Sequence, residues 1–92
     1  MRVIFLPSAA RDLMWFRSYY STVFPEGETK AKQQLSKICQ LLEANPYLGQ
    51  AGAIEGTRKL NIPRTPFALI YRVASIDIEV LRLRDQRQGG SD

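Results

Sequence analysis

Ninety-two residues, 45% hydrophobic and 24% charged, make one domain and are too apolar for a disordered chain. A single cysteine and no histidine exclude an internal disulfide and argue against a structural zinc site. The net charge of +4 is compatible with an acidic partner, nucleic acid or protein, and equally with ordinary surface charge.

Val3 to Leu6 is a short apolar run ended by Pro7. Being apolar on both faces, it predicts a strand covered on both sides. It is too short for a signal peptide or a membrane span, so the cytoplasm is the expected compartment. Ser8 fits a helix N-cap. Ala9, Leu13, Phe16 and Tyr20 then recur on one helical face. Trp15 and Tyr19 fall on the adjacent face, where core packing and an aromatic docking surface both stay open. Asp12 is read as a carboxylate facing the helix dipole in preference to a catalytic group. Pro25 and Gly27 break the pattern, and a second helix starts between Glu26 and Thr29. Ala31, Leu35, Ile38 and Leu42 give it an apolar stripe, and Asn45-Pro46 ends it. Cys39, beside Ile38, reads as a buried structural thiol. Residues 47–56 are a glycine-containing loop without a phosphate-binding motif.

Arg58 to Ile62 predicts a short strand, closed by Pro63-Arg64-Thr65-Pro66. Phe67 to Val73 and Ile78 to Arg84 predict a hairpin about the turn at Ala74–Asp77, with Tyr71 packed in the core. From Gly56 onward seven Lys or Arg face four Asp or Glu, so this half supplies most of the charge. Arg82 and Arg84 should share one strand face, with Leu81 and Leu83 on the other. A domain of residues 1–87 and a frayed tail, residues 88–92, are expected. The order β-α-α-β-β-β predicts an α+β two-layer domain, in which an N-terminal strand and a helical hairpin join an antiparallel sheet.

In this order the segments resemble the RelE/ParE superfamily of toxins from type II toxin–antitoxin modules. The resemblance rests on Ala10-x-Asp12-Leu13 with Tyr20, on Glu55-Gly56-x-Arg58-x-Leu60, on Pro66-Phe67-x-Leu69-Ile70-Tyr71-Arg72-Val73, and on Ile78 to Leu83. It implies one of two mechanisms. RelE-like members are ribosome-dependent nucleases that need cations around a phosphate and a group to move protons. Their strand arginine falls on Ala68 and their second strand lysine on Asn61. Their histidine falls near Asp85, and their C-terminal tyrosine has no counterpart. Lys59 and Arg87 could match other members of the set. The incomplete set points to the ParE-like branch: a non-enzymatic inhibitor of DNA gyrase, without cofactor or metal, neutralised by a cognate ParD-type antitoxin. No direct specific nucleic-acid binding is expected. The resemblance suggests Trp15, Tyr19, Arg82 and Arg84 for the antitoxin, and Lys59, Arg82, Arg84 and Arg87 for the target. The alternative is an mRNA endoribonuclease using Lys59, Arg82 and Arg87 for phosphate. A basic domain that only binds nucleic acid is a third reading.

Overall fold

In the computed structural model, which describes residues 1–88, a five-stranded sheet has the order β1-β5-β4-β3-β2. The strands are β1 (Arg2–Phe5), β2 (Gln50–Ala51), β3 (Arg58–Asn61), β4 (Phe67–Val73) and β5 (Asp77–Asp85). Two helices, α1 (Pro7–Ser18) and α2 (Glu28–Ala44), pack on one face, giving the expected α+β domain. β2 through β5 pair antiparallel, whereas β1 joins parallel to β5 in the register Arg2↔Asp77 to Phe5↔Val80, so the sheet is mixed. β1 is half-buried because it lies at an edge, and not a strand covered on both sides. β2 is a two-residue addition inside the segment read as loop. The expected tail falls almost wholly outside the described residues, apart from Gln88, which closes a 3-10 turn from Gln86.

The helical stripes pack as their spacing dictates. Ala9, Phe16 and Tyr20 from the first, and Ala31, Ile38 and Leu42 from the second, are buried against Phe67, Leu69, Tyr71, Ile78, Val80 and Leu83. Leu13 and Leu35 pack on this core only partly buried. Phe16 meets the Phe67 ring edge-on at 4.9 Å between centroids, a favoured aromatic geometry. The end of α1 is wider than expected: residues Tyr19–Val23 form a π-helical turn, followed by a 3-10 turn at Pro25–Gly27.

Three local readings change. Helix α1 starts two residues early, with Leu6 and not Ser8 as N-cap, because Pro7 is favoured at a first helical position and has no N–H to leave unsatisfied. Ser8, freed from capping, donates its hydroxyl to the Leu81 carbonyl at 2.7 Å. Asp12 lies beyond the first helical turn and does not face the dipole; it binds β5 instead. In β5 the register slips between Ile70↔Arg82 and Tyr71↔Val80, so Leu81 is the extra residue of a bulge. Leu83 and Val80 are therefore both buried while Leu81 is not, and Leu81 does not share the face of Leu83.

Candidate functional site

The hydrogen-bonding edge of β5 is covered by β1 only as far as Val80, and beyond it α1 takes over. Leu6 N–H donates to the Val80 carbonyl, and Ser8 caps the Leu81 carbonyl. The Asp12 carboxylate accepts the Leu83 N–H at 3.0 Å and two bonds from the Arg82 guanidinium, at 2.6 and 3.2 Å. A bare strand edge is a template for unwanted pairing, and these side chains occupy it. Arg82 is thus fixed to α1 by a two-pronged ion pair.

One turn along α1, the aromatic residues meet the end of β5. Trp15 Nε1–H donates to Asp85 Oδ2 at 3.1 Å, and the Trp15 and Tyr19 rings lie 6.1 Å apart. Arg87 bends back onto the same carboxylate with its backbone N–H, Nε and a terminal nitrogen, at 3.0, 3.0 and 2.7 Å. It also donates to the Tyr19 hydroxyl and stacks over the Tyr19 ring at 4.1 Å. Asp85 is 8% exposed, which such pairing permits. The hydrogen bonds from Arg87 hold its carboxyl below the usual carboxylate range, and the carboxylate raises the Arg87 pKa in return. The carboxylate stays ionised and fully engaged, which suits a structural clamp and not proton transfer.

The second basic group lies across the sheet. The register places Lys59, Ile70 and Arg82 in one row and Asn61, Ala68 and Arg84 in the next. Ala68 and Ile70 stand outside the main core yet are only 0% and 9% exposed. They share their rows with the cations Lys59, Arg82 and Arg84, so apolar and basic residues alternate across this part of the sheet.

A groove opens between the two helices beside β1. It is apolar, has a volume of about 640 Å³ and is lined by Phe5, Leu13, Phe16, Leu35 and Cys39, with Arg17 and Lys32 among its lining cations. Cys39 is half-buried at its wall, and burial, with a smaller contribution from Glu43, pushes its thiol up to about 11. At neutral pH it is a thiol and not a nucleophilic thiolate, but it is half-buried at the groove and not the fully buried thiol expected. On the sheet side Tyr71 is buried, as expected, and anchors the 46–49 turn: its hydroxyl accepts from the Gly49 N–H at 2.8 Å and donates to the Pro46 carbonyl at 2.9 Å. A Cβ at position 49 would stand 2.8 Å from that hydroxyl, so this close approach requires glycine.

The structure therefore unites Trp15, Tyr19 and Arg87, fixes Arg82 to α1, and puts Lys59 and Arg84 in the basic rows. Sequence reasoning missed Asp12 and Asp85 as the organising carboxylates. Their signal was present as carboxylates near Trp15 and near Arg87 in sequence, but the pairings cross some 70 residues. Among the described residues, no three His, Cys, Asp or Glu gather as metal ligands, and no helix is long and apolar enough to cross a membrane.

Residues 3–89 match the family model described as the ParE toxin of the type II toxin–antitoxin system parDE. Among solved structures, the chain is similar to one titled as the chromosomal ParDE toxin–antitoxin system from P. aeruginosa, at 30% identity and a TM-score of 0.75. That match covers 92% of this chain and 95% of the other. The search of curated proteins finds no match.

Proposed function

The chain belongs to the ParE toxin family of type II toxin–antitoxin systems, and from that premise we propose that it inhibits DNA gyrase by binding, without catalysis, until a ParD-type antitoxin neutralises it. The observation that carries the non-catalytic part is the clamp on Asp85. Near the position where the resemblance puts the nuclease histidine, this chain has a carboxylate engaged by Trp15 and Arg87 and kept ionised. Where the nucleases carry a strand arginine, Ala68 is buried in the sheet. Arg87 serves the clamp and Arg82 also binds Asp12; the rows of the sheet that carry Lys59, Arg82 and Arg84 are the basic surface proposed for a target.

The antitoxin contact is proposed along α1. Trp15, 37% exposed, and Tyr19 offer aromatic anchors over the end of β5, the strand that carries Arg82 and Arg84. The groove between the helices offers an apolar seat for an amphipathic helix, with Arg17 and Lys32 matching acidic residues on its flanks. The test is a gyrase supercoiling assay with purified toxin, alongside mapping of mRNA ends in cells that express it. Inhibited supercoiling, reversed by the antitoxin, with mRNA intact, is the expected result. Ribosome-mapped mRNA cuts with unaffected gyrase would overturn the reading in favour of a nuclease built on Lys59, Arg82 and Arg87.

A further inference from the structure

We propose that the cleft between the turn after α1 and the β3–β4 loop is a docking site for an acidic peptide segment of a protein partner. The segment would seat an apolar side chain against Phe24 and set a carboxylate beside Arg64 and Lys30. The cleft encloses about 240 Å³, and its lining includes Tyr20, Phe24, Glu26, Lys30 and Arg64. It uses none of the residues assigned above to antitoxin or target, and it does not depend on the gyrase reading.

Three departures from regular backbone converge on it. First, α1 widens into the π-helical turn at Tyr19–Val23, and such turns recur at functional sites. Here the turn brings the Tyr20 and Phe24 rings to 6.2 Å, as one aromatic wall. Second, the Phe24 ring lies directly on Gly27, where any Cβ would stand 2.5 Å from a ring carbon. So seated, the ring is still 46% exposed, and it faces the cleft. Third, Arg64 has φ 63, a left-handed conformation that glycine adopts freely and arginine does not.

The loop enforces that strain. Prolines flank the Arg64-Thr65 pair. Ile62 N–H donates to Phe67 O, the Thr65 N–H and hydroxyl both donate to Ile62 O, and Gln86 N–H donates to Pro66 O. Glycine would satisfy this geometry without the steric strain, yet the chain keeps a cation there. Strain that the surroundings over-determine is a mark of function.

Charge selects the ligand. Arg64 and Lys30 outweigh Glu26, and neither belongs to the Arg82–Asp12 or Arg87–Asp85 ion pair. Two cations, one carboxylate and an aromatic wall suit a carboxylate next to an apolar anchor. They suit a polyanionic phosphate backbone poorly, since its affinity grows with the number of cations it meets.

The experiment is an amide NMR titration of the full chain with a capped tripeptide of phenylalanine between two glutamates. The same peptide with glutamines and the nucleotide AMP serve as controls. Saturable shifts at Phe24, Lys30 and Thr65 with the acidic peptide alone are expected. Arg64→Gly should weaken binding roughly tenfold, the effect of losing one charge-assisted contact, while holding or raising Tm because it relieves the strain. Lys30→Gln, on an exposed helix face, should weaken binding independently. No saturation by the acidic peptide, equal binding of the glutamine peptide or AMP, or unchanged affinity in both variants would overturn the proposal.

Discussion

Asp85 sits nearly buried between Trp15 and Arg87, and the direction of its pKa shift sets how stability should follow pH. Its folded pKa lies below its unfolded value, so the clamp stabilises the fold fully above the unfolded carboxylate range, near 3.9. That contribution is lost as pH falls through the folded pKa. The Tm of Asp85→Asn should therefore lie below wild type at pH 7, and the gap should close below about pH 4. Thermal melts across that range check it, and a gap independent of pH would remove the electrostatic account. Arg87→Ala should cost about 1–3 kcal/mol at pH 7, because the carboxylate stays buried while the half-exposed guanidinium was partly screened already. Adding Asp85→Asn to Arg87→Ala should recover part of that loss, the coupling expected of residues in one network. Trp15 and Tyr19 were legible in the sequence as aromatics off the helical stripe. Their partners were not, because nothing local records that the end of β5 returns beneath α1.

At the scale of elements, the two helical stripes and the β4–β5 hairpin follow directly from periodicity. Leu42, fully buried, should lose about 2–5 kcal/mol as Leu42→Ala, while Leu35→Ala should lose less because Leu35 is only partly buried beside the groove. Urea denaturation of both variants orders them, and equal losses would mean that the groove is closed in solution. Tyr71→Phe removes the acceptor of the buried Gly49 N–H, which should cost about 1–3 kcal/mol and speed hydrogen exchange at Gly49. What periodicity could not reveal has specific causes. Pro7 and Ser8 compete for the helix start, and only packing against Leu81 decides between them. A bulge adds a residue without changing composition, so the alternation of β5 could not disclose the slip at Leu81. β2 is two residues long, below the length at which a strand has a pattern at all.

At the scale of the molecule, apolar anchoring and charge divide between the α1 face and the basic rows of the sheet. If the proposed antitoxin docks across both, Trp15→Ala should mainly raise its off-rate. Arg84→Ala should mainly lower its on-rate and flatten its salt dependence. Binding kinetics over a salt series separate the two effects, and unchanged rates in both variants would place the interface elsewhere. The parallel pairing of β1 with β5 has a further consequence, in time. Arg2 waits for Asp77, some 75 positions later, before it can hydrogen-bond into the sheet. At ribosomal speeds of about 5–20 residues per second, that wait is roughly 4–15 s. A nascent chain therefore lacks the completed sheet for those seconds, and the proposed antitoxin would have that interval to arrive. Ribosome-bound chains whose residues 77–80 are still in the exit tunnel should be cut readily by protease near β1, and released chains should resist.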